Sequence, residues 1–307
     1  MKKVLIITSS IDYTVDYIIS KYGNKYKFYR LNVDMFNKYV INVSYENGFY
    51  IKNKQWTILE EEIDAIYYRK PILPDLSDYE SKYRNMISRD IITVINGIVD
   101  AFKGVVLSRP SLLKKSENKV FQMRIANQVG FNFPKSLIGT SNTDINNIID
   151  FDGIIKPLTI GKIINGDKCE IIQTCKIEEH INEDIALTPL YVQQYIDKNY
   201  EVRVTIVDDE IFAVKIMAFN KIDWRIDQSN NRYELISIPK DIKEKCLKMM
   251  DIMNLKFGAF DFIVDKNENY IFLEVNPNGQ WLWLEKLLGL KISNRIINYL
   301  SKGDDED

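Results

Sequence analysis

At 307 residues with 46% apolar side chains, the chain is long enough to bury a large core and to divide into two or three subdomains. Its 41 basic and 43 acidic residues leave a formal charge of −2, which gives no electrostatic ground for nucleic acid as a partner. No apolar run reaches the length of a membrane span, and the single histidine, His180, excludes multi-histidine zinc sites and disfavours a Ser-His-Asp triad.

The basic start, Met1 to Lys3, leads into an apolar run too short for a secretory signal, and Val4 to Thr8 reads as a first strand. A helix follows from about Thr14 to Tyr22, stopped by Gly23, then a strand from Lys27 to Val33; such alternation predicts an α/β layer with parallel strands. Asn47-Gly48 between Ile41–Tyr45 and Phe49–Ile51 is a strong hairpin signal. Ile63 to Tyr68 is a further strand, a long amphipathic helix runs from about Tyr79 to Phe102, and Val105 to Leu107 is a short strand before a break at Pro110. Neither Gly-x-Gly-x-x-Gly nor Gly-Lys-Ser occurs, so a nucleotide would have to be held without a Rossmann or P-loop turn.

From Ser116, a plausible N-cap, Phe121, Ile125 and Val129 repeat at four-residue spacing until Gly130 stops the helix. A strand near Lys135 to Ile138, a helix from Thr143 to Ile149 and the strand Gly153 to Lys156 come next. Leu158 to Lys168, with Gly161 and Gly166, reads as a mobile loop able to fold over phosphates. Val192 to Ile196 is a strand, Val202–Val207 and Ile211–Ala218 pair around Asp208-Asp209-Glu210, Asp241 to Met253 is helical, and a last helix spans Ser293 to Leu300. Cys169, Cys175 and Cys246 lack metal-ligand spacing and leave one thiol over, as expected in a reducing cytoplasm.

The chemistry concentrates in a predicted hairpin. Phe260 to Asp265 and Tyr270 to Val275 flank Lys266-Asn267-Glu268-Asn269. Symmetric closure sets Asp265 opposite Tyr270 and Asp261 opposite Glu274; opposed carboxylates repel unless a cation joins them. Asn276, two residues beyond Glu274, shares its face. An all-oxygen set of Asp261, Glu274 and Asn276 suits Mg²⁺, which keeps substrate phosphates in its remaining positions.

Lys119, then Lys156 at the end of an apolar strand, then a linker, then Glu201 and Arg203 on a strand, then the Asp…Glu-x-Asn set, in that order, resemble the ATP-grasp superfamily. The resemblance runs from about Met1 to Leu300. It implies an α/β (α+β) fold: an N-terminal pre-ATP-grasp domain (1–112), a central subdomain (113–192), a C-terminal subdomain with the Mg site (193–301) and an acidic tail (302–307). It also assigns roles: Lys119 and Lys156 on nucleotide phosphates, the backbone of Gln194, Tyr195 and Ile196 on adenine, and Glu201 on ribose. Gln194 departs from the usual acid, yet an amide oxygen still accepts from the adenine amino group.

Tyr67-Tyr68-Arg69-Lys70-Pro71, Glu201-x-Arg203, Asp223-Trp224-Arg225 and Gly279-Gln280-Trp281-Leu282-Trp283-Leu284-Glu285 further resemble the graspetide synthetases, which macrocyclise microviridin-type peptides. That resemblance places Arg225 near the γ-phosphate and Asp223 and Trp224 close to the reacting peptide. Arg69 and Trp281 join the substrate residues, although a tryptophan at such spacing is as readily a packing residue. Arg203, whose guanidinium matches carboxylate oxygens bidentately, is the candidate for holding the carboxylate or acyl phosphate, and Asp223 a candidate general base. The implied activity is ATP-dependent ligation: Mg²⁺, in two ions, assists γ-phosphoryl transfer to an Asp or Glu side chain of a ribosomal precursor peptide. The acyl phosphate then yields to a Thr or Ser hydroxyl or a Lys amine. The alternatives are an amino-acid or peptide-tail ligase of the glutathione synthetase or ribosomal-protein glutamate ligase type, a non-catalytic nucleotide-binding regulator, and a small-molecule kinase. Family members are often homodimers, though no pattern here requires it; a soluble cytoplasmic enzyme is expected.

Overall fold

The computed structural model describes residues 1–149, 152–159, 162–165, 168–171, 174–177, 179–220, 224 and 229–302. Its first third comprises β1 (Lys3–Thr8), α1 (Tyr13–Tyr22), β2 (Lys27–Asn32), β3 (Val40–Ser44), β4 (Gly48–Lys52), β5 (Thr57–Leu59), β6 (Ala65–Tyr68), α2 (Ser81–Ala101) and β7 (Val105–Leu107). Four of these strands pair in parallel in the order β2-β1-β6-β7. The chain therefore leaves β1 to one side and returns on the other at β6. The C-terminal ends of β1 and β6 flank a topological switch point, where open parallel sheets leave a crevice. Asp12 caps α1, its carboxylate accepting from the Thr14 and Val15 amides. α2 turns Ile91, Ile95, Ile98 and Val99 inward at three- and four-residue spacing. The Asn47-Gly48 hairpin forms as expected, with Gly48 at φ +64°, and β5, absent from the sequence reading, adds a third strand to it.

The middle of the chain contains α3 (Pro110–Ser116), α4 (Lys119–Val129), β8 (Ser136–Gly139), α5 (Asn142–Ile149), β9 (Gly153–Lys156), β10 (Lys162–Asn165), β11 (Lys168–Ile171), β12 (Cys175–Ile177) and β13 (Leu190–Gln194). Three expectations change here. Pro110 starts a helix rather than ending a segment, because a ring at the first helical position forfeits no hydrogen bond. Ser116 ends α3, fully buried, and Asn118 is the cap of α4, accepting from the Phe121 amide at 3.1 Å. The expected loop from Leu158 to Lys168 holds β10, paired antiparallel with β11. Asn165-Gly166 is itself a hairpin dipeptide, a signal outweighed in the sequence reading by the two glycines taken as loop markers. β12, β9, β13 and β8 form a second antiparallel sheet in that order.

The last third is β14 (Lys198–Val207), β15 (Glu210–Met217), β16 (Arg232–Ile236), α6 (Lys240–Ile252), β17 (Phe257–Asp265), β18 (Tyr270–Asn276), α7 (Leu282–Leu288) and α8 (Ile292–Leu300). Its five strands run β16-β15-β14-β17-β18, all antiparallel. One face carries Val202, Val204, Ile206, Phe260, Phe262 and Phe272 against α4 and α6. There Phe131 stacks on Phe272 at 5.0 Å. Phe257, Ala259 and Trp281 pack instead into a core shared with Val4, Ile6 and Leu107 of the parallel layer. That junction is fastened by Glu285, 4% exposed, which accepts from Tyr17 Oη (2.7 Å), Lys21 Nζ (2.8 Å), the Ser293 amide (2.6 Å) and Ser293 Oγ (2.6 Å). Among the described residues no helix is long and apolar enough to cross a membrane.

Candidate active site

The hairpin β17–β18 brings Asp261 opposite Glu274, as the sequence implies, but by a different route. Tyr270 faces Val264 rather than Asp265, so the turn closes one position off the symmetric register. An extra residue, Leu273, bulges from β18 and restores the pairing. Asp261 is in turn the direct neighbour of Arg203 on β14. One row across three adjacent strands therefore reads Arg203, Asp261, Glu274.

Asp261 is 4% exposed, and both its oxygens accept from Arg203 Nη1, at 2.8 and 2.7 Å. Glu274 Oε2 accepts from Lys119 Nζ at 2.6 Å. Each of the two opposed carboxylates thus meets a cationic side chain of its own, a guanidinium at Asp261 and an ammonium at Glu274. Lys119 stands at the first position of α4 and is aimed by Gln122, one turn on. The buried Gln122 amide donates to Val275 O (2.8 Å) and Ser116 O (2.7 Å) and accepts from Val275 N (3.1 Å). These contacts cover the edge of β18 and fix the helix start over the acid. Sequence reasoning missed Gln122, since a lone glutamine in a helical pattern carries no signal.

Lys156 ends β9 half-buried and faces Tyr191 across the sheet. Burial and the nearby charge of Glu274 push the Tyr191 phenol up, so the Lys156 row lies within electrostatic reach of the hairpin acids. Glu201, 6% exposed, is ion-paired with Lys198. Gln194 closes β13, its amide on Lys135 O at 2.8 Å; the Tyr195 amide donates to Asp152 O at 3.0 Å, and Lys176 lies over the Tyr195 ring at 4.6 Å. A cavity of about 400 Å³ opens beside this linker, lined by Gln194, Ile196, Phe133, Lys135, Asp265 and Ile271 among others. It reaches the linker but not the charged row. Asn276 Oδ1 accepts from the Asn278 amide at 3.0 Å, a turn that ends β18.

The residues expected to meet a second substrate divide. Arg69 is 1% exposed: Nε lies 3.2 Å from Asp12 Oδ2, and Nη2 donates to Thr14 Oγ1 (3.1 Å) and Gln280 Oε1 (2.6 Å). In this structure it joins the parallel layer to the loop beyond the hairpin instead of reaching a cleft. Trp281 is fully buried in the shared core, so the packing reading is the one its position supports. Trp224, 6% exposed, packs against Trp283 with ring centroids 5.2 Å apart and planes tilted by 34°. Asp223 and Arg225 lie outside the described residues. Gly279 is required where it stands, because a Cβ would come within 2.8 Å of Arg203 Nη2 and 2.7 Å of Ala259 Cβ.

Two carboxylates and an amide on one face are hard oxygen donors that fit magnesium, an ion usually held by one or two carboxylates with substrate phosphates and water. Among the described residues no group of three or more His, Cys, Asp or Glu side chains gathers, which fits an ion completed by a nucleotide better than a closed protein cage. Two antiparallel sheets joined by a linker, with cationic side chains and a carboxylate row between them, define an ATP-dependent ligase of the ATP-grasp class. A model of the RimK-like ATP-grasp domain matches residues 116–300, and one of the MvdD pre-ATP grasp domain matches residues 3–111. The chain belongs to the RimK-like ATP-grasp family.

Among solved structures, a RiPP-associated ATP-grasp ligase of Chryseobacterium gregarium, in complex with ADP and a leader and core peptide, is 24% identical. It superposes with a TM-score of 0.87 over 98% of this chain and 95% of its own. The macrocyclase MdnC of Microcystis aeruginosa, bound with precursor peptide MdnA, is 25% identical with a TM-score of 0.86, over 97% and 99%. Among curated proteins, the alpha-aminoadipate–LysW ligase LysX of Saccharolobus solfataricus is 22% identical over 62% of this chain and 72% of its own length.

Proposed function

We propose that this chain uses ATP to activate Asp or Glu side chains of a ribosomal precursor peptide and closes macrocyclic esters with Thr or Ser, or amides with Lys. The observation that carries the reading is the row Arg203–Asp261–Glu274 with Lys119 on its end: two acids able to hold metal and two cations able to take over anionic oxygens. The two peptide-bound ligase structures superpose with TM-scores of 0.87 and 0.86, against 0.60 for D-alanyl-alanine synthetase A of Vibrio cholerae over a similar share of the chain, which favours a peptide as second substrate.

In this reading Asp261, Glu274 and Asn276 hold magnesium, in two ions, which supplies charge neutralisation at the β- and γ-phosphates when bound. Lys119 turns from Glu274 to a phosphate, Lys156 approaches from the facing sheet, and Arg225 adds charge at the γ-phosphate. Gln194, Tyr195 and Ile196 take adenine, and Glu201 the ribose. The substrate carboxylate oxygen forms a bond to the γ-phosphorus as the bond to ADP breaks. The hydroxyl or amine then attacks the acyl carbon, loses its proton, with Asp223 as candidate base, and expels phosphate. Arg203 and Trp224 keep the reacting carboxyl and the peptide in line, which is most of what such a transfer requires of a protein.

The test is to incubate the full chain with MgATP and a short Thr-rich, Glu- or Asp-rich peptide encoded in a neighbouring open reading frame. Loss of one water mass per crosslink, with ADP and phosphate released, is the expected result. An unchanged or phosphorylated peptide overturns it, and ATP turnover driven by a free amino acid would favour the amino-acid ligase.

A further inference from the structure

Lys70 is used by nothing described so far. It follows Arg69 at the C-terminal end of β6, beside the switch point between β1 and β6, where ligands of open parallel sheets bind. Its φ is +44°, a left-handed backbone that a lysine adopts only at a cost, and Pro71 behind it would ordinarily impose an extended one. Strain of this kind persists where the surroundings fix it, and such residues cluster at ligand clamps.

The charges around it do not balance. Asp12 is engaged by Arg69 and Asp261 by Arg203, whereas among the described residues no carboxylate lies within ion-pair distance of the half-buried Lys70 ammonium. Burial and repulsion from Arg69 and Arg203 outweigh the attraction of Asp12 and Glu117, bringing its pKa down to about 8. A lysine kept for packing would be paired or left in water. Its chain neighbour Arg69 donates to Gln280, and Gly279, next to Gln280, lies against the Arg203 guanidinium, so the end of β6 that carries Lys70 adjoins the Arg203 end of the row.

We propose that Lys70, at the switch-point crevice beside Arg203, binds the carboxylate of the peptide side chain that is to be activated. The inference rests on the carboxylate-activating reading above and adds to it the contact that selects an acidic residue. Lys70 contributes no electron pair; it neutralises the carboxylate in the bound state and leaves the oxygen that attacks phosphorus to be aligned by Arg203.

The experiment uses the full chain with MgADP and two synthetic probes: the Thr- and Glu-rich peptide of the preceding test and a copy with every core Glu replaced by Gln. The wild-type chain is expected to bind the Glu peptide roughly 10- to 100-fold more tightly than the Gln copy, the size of a lost charge-assisted hydrogen bond. Lys70→Met and Lys70→Gly are expected to erase that preference with MgADP binding unchanged, and Lys70→Arg to retain most of it. Glycine relieves the backbone strain, so a merely structural Lys70 predicts that Lys70→Gly behaves as wild type or better. Retention of the preference in Lys70→Gly overturns the inference alone. Failure of the wild-type chain to bind and cyclise the Glu peptide overturns the reading beneath it.

Discussion

Two acids, one buried and one part-exposed, lie within one short stretch of chain, and they are paired in opposite ways. Glu285 is enclosed at the junction of the parallel layer with α7 and α8, 4% exposed, and collects four donors from α1 and α8. Glu274 has a side chain 27% exposed and meets Lys119, which reaches it from the first position of α4. The first arrangement is saturated and could admit a ligand only by breaking the junction. The second is a charge pair with an exchangeable partner. Four donors inside a closed junction mark an acid that holds the fold, and a part-exposed acid with a lysine on it marks one that can change partners.

The sharpest way to break this contrast is to remove each charge in turn. Glu274→Gln is expected to lower product formation by about a thousandfold or more, the scale of a lost metal or oxyanion contact, while moving the thermal midpoint little. Glu285→Gln should do the reverse, costing about 1–3 kcal/mol because Lys21 loses its counter-charge and the oxygen replaced by an NH2 no longer accepts from the donors around it, with kcat largely kept in the folded fraction. Denaturant melts and mass-spectrometric turnover of the same two preparations decide it. Equal effects on stability would remove the distinction.

Gly279→Ala is expected to cost about 1–3 kcal/mol and to displace Arg203 from Asp261, since the new methyl group meets the Ala259 methyl, which cannot yield, and the Arg203 guanidinium, which must. Chemical denaturation measures the first effect, and a raised KM for the peptide at unchanged MgADP affinity the second. Gln122→Met should cost about 1–3 kcal/mol for the orphaned Val275 amide and carbonyl and weaken MgATP binding severalfold by releasing Lys119, readable by calorimetry.

The smallest expected effect is on the pH profile, where stability rises with pH at both regions but in different windows, because the charged form of Glu285 is favoured by folding and that of Lys70 is disfavoured. Donors at Glu285 hold its pKa below the ordinary 4.5 against the opposing effect of burial. Its stabilisation is therefore complete above that value and is lost as pH falls below it; Glu285→Gln should flatten this acid limb. Lys70 has its pKa lowered from 10.5 to about 8. Between those values the unfolded chain binds more protons there, so stability rises with pH across that window, and Lys70→Met should remove the rise. Denaturant titrations from acid to alkaline pH test both slopes.

Much of this was legible in the sequence because the relevant signals are local. The alternation of the first strands, Asn47-Gly48, and the Asp…Glu-x-Asn spacing each encode their geometry within neighbouring elements of the chain. What escaped was set by contacts distant in sequence. The short strands β5, β12 and β16 are carried by neighbours rather than by propensity, and Gln122 becomes legible only when the edge of β18 is beside it. Arg69 and Trp281 were read as substrate residues from their motifs, and their burial depends on a junction between segments some 210 residues apart. The roles given to the charged residues remain those of the proposal, whereas their convergence on one row is a matter of register.

That register has a parity. Before the bulge, Tyr270 and Phe272 point with Phe262 and Val264 into the aromatic core; after it, Val275 does so with Phe260. Were Leu273 paired instead of bulged, it would take the place opposite Asp261 and Glu274 would fall opposite Phe260, sending the carboxylate, and two residues later Asn276, into hydrocarbon. One unpaired leucine thus transposes even and odd along the strand. The same hairpin can then be greasy along one half and a charged instrument at its base. Closing the bulge with Leu273 kept would exchange those two characters, whereas deleting Leu273 would leave Glu274 opposite Asp261.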